Sequence, residues 1–220
     1  MLEGSFHRGS YVSTAGESAE GHVLELRARP PSRWATRDRI LLEASRLFAT
    51  HGFRGASTRQ IAEQVGIRQP SLFKHFGSKR AMLAELAVYD MDVPARHAEG
   101  AASRAGSAVD RFAGYVAWDL EWYRTMPFDL RGMTEGLVRS EGLTHAQEAL
   151  ARWHTAVATM LRQGVEAGDF AERSVAFVPT VLETLSWHMV NSSDATERTV
   201  DDAVEFLLVA VLISSRDLRR

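Results

Sequence analysis

The feature that most limits the fold is a helical period of apolar residues that recurs from residue 36 nearly to the end of the chain. Glycine and proline interrupt this period at intervals, as they do where one helix ends and the next begins. No stretch shows the sustained two-residue alternation of a half-buried strand. We therefore predict an all-α fold, with apolar stripes at 40–48, 61–65, 82–87, 109–123, 146–165, 175–189 and 200–212.

Composition excludes several classes of protein. The chain has 220 residues, of which 45% are hydrophobic, so one or two domains with a real core are expected. It has no cysteine, which excludes a disulfide scaffold, a thiolate zinc site and a cysteine nucleophile. The longest apolar run is 206–213, whereas a membrane helix needs about 20 residues. The first 30 residues lack an apolar signal region, so we expect a cytoplasmic protein with no membrane partner.

Charge is distributed in blocks that the net value of −2 conceals. Residues 33–80 hold ten Lys and Arg against three Asp and Glu, a net charge of +7, whereas residues 81–220 carry a net charge of −8. A compact basic segment in an acidic chain predicts a polyanion-binding module joined to a body with another task. The alternative, a solvated charged face, explains this asymmetry less well.

The chain divides into three parts. Residues 1–33 are rich in Gly, Ser, Glu and Arg and show no sustained period, so we predict a mostly disordered arm. Its basic end could reach a minor groove, but we favour a solvated tail. We place the basic, polyanion-binding domain at 34–93 and a second helical domain at 94–220, with Pro94 marking a boundary or a kink.

Residues 57–76 carry the pattern of a helix-turn-helix. Ser57 and Gln60 have capping-box spacing, Ala62 is small enough for a close helix crossing, and Gly66 can supply the positive φ of the turn. Pro70 suits the first turn of the second helix. Apolar side chains would fill the wedge between the helices, namely Ile61, Val65, Ile67 and Leu72.

Residues 36–86 resemble the N-terminal DNA-binding domain of the TetR (tetracycline-repressor) family of transcriptional regulators. The match is carried by 40–48, Gly52-Phe53, 58–66, Leu72-Phe73-Lys74-His75-Phe76, Gly77-Ser78-Lys79 and Leu83. The resemblance implies an N-terminal three-helix DNA-binding domain with a helix-turn-helix, followed by a C-terminal helical ligand-binding and dimerisation domain.

The resemblance also implies individual DNA contacts. Thr58 would bind a phosphate, Arg59 a guanine edge and Gln69 adenine or a neighbouring base. Pro70 and Ser71 would contact a thymine methyl group and a phosphate.

Lys74 and His75 would contact phosphate or base edges, and Lys79 would hold the DNA backbone. Arg68 stands where the family often has a small hydroxyl residue, and it could add a contact. Phe73 stands where the family usually has tyrosine, so a phosphate hydrogen bond worth about 1 kcal/mol is missing. Two alternatives stay open: Phe73 could belong to the core like Phe48 and Phe76, and His75 could cap its own helix.

The C-terminal domain resembles the family only in its series of amphipathic helices. In the family the last two helices pack against those of a second subunit, which here would be 174–191 and 199–214. The final helix is apolar on more than one face, which fits a homodimer. The alternative is a central helix of a monomer.

An effector pocket is expected among aromatic residues that lie off the main stripes. Tyr115, Trp118 and Trp122 share one helix face, and other candidates are Met126, Phe128, Trp153, His154, Trp187 and His188. The alternative for any one of them is an ordinary place in the core. His145 and Glu148 do not suffice for a metal site, so we predict no metal and no cofactor.

Together these features predict a ligand-responsive repressor. It would bind a palindromic double-stranded DNA operator as a homodimer and be released by a small hydrophobic or aromatic effector. The alternative is an architectural, ligand-independent DNA-binding protein of the same fold. We do not expect an enzyme, because no nucleophile–base pair, metal triad or phosphate-binding glycine loop is visible.

Overall fold

The computed structural model describes residues 16–192 and 194–212, with side chains described from residue 19. Over these residues the chain is helical and no β-strand forms, which confirms the all-α prediction. The helices are α1 (Gly16–Arg27), α2 (Thr36–Gly55), α3 (Thr58–Val65), α4 (Gln69–Phe73), α5 (Lys79–Ala87), α6 (Val93–Ala102), α7 (Ala108–Arg124), α8 (Glu135–Ser140), α9 (Thr144–Glu166), α10 (Ser174–Asn191) and α11 (Glu197–Val211).

Helix α1 corrects the prediction of a disordered arm for the part of 1–33 that the structure describes. Val23 is fully buried and Leu26 nearly so, while Trp34 donates its indole N–H to the carbonyls of Leu26 and Arg29. Two buried apolar residues one turn apart stabilise this helix through packing rather than through its own propensity. The signal in the sequence was too short to show a period. Residues 1–15 of the predicted arm lie outside the described residues.

Helices α2 to α5 form the N-terminal domain around a continuous apolar core. Ile40, Leu41 and Phe48 of α2 are buried, and Gly52 leaves the helical conformation at φ 70°. The N-cap of α2 is Ala35, whose side chain makes no capping hydrogen bond.

The two domains are joined by a π-helical turn at Val88–Asp92, and Pro94 lies in the first turn of the helix that follows. Such turns leave some backbone carbonyls without a helical partner. Side chains of α7 supply partners: Trp122 donates its indole N–H to the Tyr89 carbonyl at 3.0 Å, and Tyr123 donates its hydroxyl to the Asp90 carbonyl at 2.6 Å. The C-terminal domain thus holds the connection in place.

Helices α6, α7, α9, α10 and α11 build the C-terminal domain, with α6 against α9 and α7 against both α10 and α11. Helix α10 has the predicted bounds, and α11 begins two residues before the predicted start. Its predicted end at 214 lies outside the described residues. Among those residues no helix is both long and apolar enough to cross a membrane.

Gly132 marks a close approach between the domains. It lies in a short 3-10 turn after α7, and a Cβ placed on it would stand 2.7 Å from the Phe48 carbonyl carbon of α2. Nearby, the backbone N–H of Asp129 donates to the Ser45 hydroxyl at 3.0 Å. Since backbone meets backbone here, no side-chain rotation can make room for a methyl group.

We expect Gly132→Ala to destabilise the protein by about 1–3 kcal/mol, the usual effect of overpacking. The matched control is Gly136→Ala in α8, where the new methyl group meets nothing within 4 Å. That change should be neutral or slightly stabilising because alanine favours helix. Urea unfolding followed by circular dichroism measures both. Equal stability of the two variants would contradict the close approach.

Candidate nucleic-acid interface

The turn between α3 and α4 is formed by residues in and next to it. Ser57 accepts from the Gln60 backbone N–H while the Gln60 side chain accepts from the Ser57 backbone N–H, so the predicted capping box is present. Gly66 ends α3 in the left-handed conformation at φ 76°, which an L side chain rarely adopts. Ala62 at the crossing and Leu72 in the wedge are buried.

Helix α4 presents its N-terminal half beside the N-terminus of α3. The Gln69 side-chain amide donates to the Thr58 hydroxyl at 2.8 Å, so the two residues that begin these helices are in direct contact. Gln69 is half-buried and does not lie in the apolar interior. Pro70 lies in the first turn of α4, as its position predicts.

The predicted DNA-contacting residues lie at or near the surface. Arg59, Arg68, Pro70, Phe73, Lys74 and His75 are exposed, and Thr58, Gln69, Ser71 and Lys79 are half-buried. Phe73 has 45% of its surface exposed, so the alternative that it belongs to the core is wrong, whereas Phe48 and Phe76 are buried. The exposed ring fits the place where the family carries tyrosine.

Arg59 and Lys79 differ in how they are held. The Arg59 guanidinium pairs with Glu63 one turn later at 2.9 Å on an exposed surface, where such a pair is weak and easily exchanged for a phosphate or base. Lys79 instead donates to the carbonyls of Phe53 and Ala56 at 2.5 and 2.7 Å, and burial lowers its pKa. Lys79 therefore ties α5 to the end of α2, in addition to any DNA contact.

Several basic side chains of 33–80 bind groups of the protein itself, which the sequence did not reveal. Arg37 pairs with Glu85, and Arg39 donates to the Val65 carbonyl. Arg80 donates to the carbonyls of Glu141 and Gly142 after α8, in the other domain. Fewer of the ten basic side chains face a polyanion than the charge count suggests.

Four of the predicted pocket residues come together in the C-terminal domain. The Tyr115 hydroxyl accepts from the indole of Trp153 at 2.5 Å and donates to Asp119 at 2.9 Å. Trp118 and Trp122 stack with ring centroids 5.5 Å apart. The contacts of Tyr115, Trp122 and Trp153 are internal, so in this conformation they act as core.

The other pocket candidates lie elsewhere. Phe128 packs its ring edge against Trp34 near the domain junction, and Met126 is half-buried. His154 is exposed and pairs with Glu183, while Trp187 is half exposed on the outer face of α10. His188 is also exposed.

Two surface grooves of the described chain include none of the nine predicted pocket residues. One runs between α6 and α9 past Glu99, Ser103 and Arg152. The other lies between α10 and α11 beside Phe177 and Val209. Across the described ranges, no three His, Asp or Glu side chains converge as a metal site would require.

Comparison with known proteins decides the family. Residues 40–86 match the family model for bacterial regulatory proteins of the tetR family. The chain is 36% identical over 198 residues to the class D tetracycline repressor protein of Escherichia coli, and the match covers 78% of this chain and 87% of that protein. The chain belongs to the TetR family. This protein is accordingly a DNA-binding transcriptional regulator and not an enzyme.

Solved structures agree with this TetR-family fold. AmtR of Mycobacterium smegmatis superposes with a TM-score of 0.74 at 23% identity, covering 83% of this chain and 87% of that one. The ketosteroid regulator KstR2 of Mycobacterium tuberculosis gives 0.70 at 20% identity, covering 82% and 96%. At such identities the likeness concerns the fold alone.

The buried carboxyl of Asp119 makes the stability of this regulator depend on pH. Burial raises the pKa of Asp119 to about 6, although hydrogen bonds from Ser186 and Tyr115 act to lower it. The unfolded carboxyl has a pKa of about 3.9, so the folded chain binds the proton more tightly. Stability therefore falls as the pH rises from about 4 to about 6 and stays lower above that.

We expect Asp119→Asn to remove this loss, because the amide keeps the shape of the carboxyl and, like its protonated form, offers one accepting oxygen and one donating group, but cannot ionise. Relative to the wild type, its free energy of unfolding should rise between about pH 4 and 6, by at most about 3 kcal/mol, and then stay level. Urea unfolding at several pH values measures this, with the exposed Glu148→Gln as the control. A pH-independent difference would show that folding does not raise the pKa of Asp119.

Proposed function

We propose that this protein is a ligand-responsive repressor that binds a palindromic DNA operator as a homodimer. The observation that carries the DNA-reading part is the contact between Thr58 and Gln69, since it brings the starts of α3 and α4 to one surface. Exposed polar and basic side chains surround that contact, including Arg59, Arg68 and Lys74. A second helix with such residues on its N-terminal half suits the major groove.

Base reading is assigned to Arg59 and Gln69, and phosphate binding to Thr58, Ser71 and Lys74. The Arg59 guanidinium can reach a guanine edge with two parallel hydrogen bonds once it leaves Glu63. Arg68, Pro70, Phe73, His75 and Lys79 complete the proposed interface.

We expect Arg59→Ala to relax base preference at one operator position, at a cost of about 1–3 kcal/mol there. The control is Arg162→Ala, an exposed arginine of α9 outside the proposed interface. Operators are first selected from a random duplex pool, and affinities for single-base variants are then measured over a range of salt concentrations. The affinity of the wild type should fall with salt by a slope of about 0.9 per phosphate neutralised. An unchanged base preference in Arg59→Ala would show that Arg59 does not contact a base.

The outer face of α10 and α11 is the proposed dimer interface. Phe206 has 59% and Val209 has 70% of its surface exposed, and Phe177 and Trp187 lie on the exposed side of α10. This exposure supports a partner over the alternative that the last helix is the centre of a monomer. Large apolar side chains gathered on one face favour a partner, and a two-fold copy suits two major-groove helices on a palindrome.

We expect Val209→Glu to yield a monomer in sedimentation velocity and to weaken operator binding, because a charge would be buried in the interface. The control is Leu24→Glu on α1, which is also exposed and apolar but lies away from this face. It should leave the mass unchanged. A wild-type protein that sediments as a monomer at micromolar concentration would overturn the proposed interface.

The ligand-independent alternative has one observation in its favour. Tyr115, Trp122 and Trp153 have their polar atoms satisfied inside the core, as in a domain that is filled without a ligand. A thermal-shift screen of hydrophobic and aromatic compounds separates the two functions. Stabilisation by a compound that also releases the operator supports the responsive repressor, and silence across the screen supports the alternative.

A further inference from the structure

Pro94 deprives two carbonyls of the domain junction of their regular backbone donor. The Val93 N–H donates to the Val88 carbonyl, five residues earlier, as in a π turn. The next residue is the proline, which has no N–H. The Asp90 carbonyl therefore lacks the donor that an α-helix would place four residues later. The Tyr89 carbonyl is in a similar position, because Val93 is engaged with Val88 and the next N–H would be that of the proline.

Two adjacent side chains of α7 donate to these same two carbonyls. The Trp122 indole N–H donates to the Tyr89 carbonyl at 3.0 Å, and the Tyr123 hydroxyl donates to the Asp90 carbonyl at 2.6 Å. Trp122 is buried and Tyr123 is half-buried, so a carbonyl that lost its donor here would be costly. Burial and neighbouring carboxylates raise the pKa of Tyr123 well above its ordinary value, so its hydroxyl keeps the proton that it donates.

The two ends of the junction belong to different domains. Helix α5 leads directly into the π turn and is tied to the rest of the DNA-binding domain. Lys79 of α5 donates to the carbonyls of Phe53 and Ala56, and Arg37 of α2 pairs with Glu85 of α5. A helix turns by about 100° for each residue, so a change in the π turn redirects α5, and α3 and α4 with it.

We propose that Trp122 and Tyr123 are positioning residues for operator binding. By donating to the π turn they fix the direction of α5, and so the separation of the two DNA-reading helices in the dimer. This inference rests on the proposed homodimer and names residues that set its half-site spacing. A dimer that holds its recognition helices at one separation accepts one spacing of half-sites. Both residues act from outside the proposed DNA interface, so they select spacing and not base sequence.

The position of α7 makes these donors sensitive to the rest of the C-terminal domain. Helix α7 packs against α10 and α11, whose outer face is the proposed dimer interface. The Trp122 ring also stacks on Trp118, with centroids 5.5 Å apart. A shift of α7 that follows a change at the interface or in the domain core therefore reaches the π turn directly.

The test measures the affinity of the full chain for duplexes that keep both half-sites of the selected operator and vary the spacing between them by single base pairs. The wild type should prefer one spacing. Tyr123→Phe keeps the ring and removes the donor, so its preference for that spacing over the neighbouring ones should fall by about fivefold or more. Its base preference within each half-site should stay unchanged, because Arg59 and Gln69 are not disturbed.

Thr125→Val is the matched control for the loss of a hydroxyl. The Thr125 hydroxyl donates to the Glu121 carbonyl at 2.6 Å, as short as the bond of Tyr123, but both of its ends lie at α7. Valine keeps the branched shape, so the spacing preference should match that of the wild type. Adding Pro94→Ala to Tyr123→Phe supplies an N–H four residues after Asp90, and the preference should return.

Three results would overturn the role of these donors. They are an unchanged spacing preference in Tyr123→Phe, an equal loss of preference in Thr125→Val, and no recovery when Pro94→Ala is added. Circular dichroism confirms that each variant is folded. A wild type without a preferred spacing would overturn the proposed homodimer on a palindrome as well, whereas a sharp wild-type preference that Tyr123→Phe shares would refute this inference alone.

Discussion

The left-handed turn at Gly66 is the constraint on which the DNA-reading surface depends. Its positive φ sets the angle at which α4 leaves α3, and the burial of Ile61, Val65 and Leu72 holds that angle. Only then do Thr58 and Gln69 meet at one surface. The positions of Arg59 and the exposed residues of α4 depend on this crossing. The interface therefore requires the correct backbone geometry, and its basic charge alone would not form it.

The second constraint is the junction between the domains. A π-helical turn joins them, and two side chains of α7 satisfy its carbonyls. At Gly132 the backbones of the two domains touch, and α1 contacts both of them. A conformational change in the C-terminal domain therefore has several rigid contacts through which to move the DNA-binding domain. Linkage between two sites requires contacts that carry a change in one domain to the other.

Much of the fold followed from local chemistry. The capping box at Ser57, the turn at Gly66 and the first-turn position of Pro70 are present as predicted, because each depends on residues a few positions apart. The bounds of α10 were also correct. Helix α1 was missed, since its two buried residues gain their partners only from distant segments, and so were the internal uses of Arg37, Arg39 and Arg80.

The sequence by itself determined the all-α class, the helix-turn-helix and the family, because helical period, caps and a positive-φ glycine are short-range properties of the chain. Only the tertiary structure decided which aromatic side chains are core, where the basic side chains are used, and that Glu20 is hydrogen-bonded to ring nitrogens of His97 and Trp118. Those outcomes join residues as far as 98 positions apart. No local pattern encodes such a distance, since it depends on how whole helices pack.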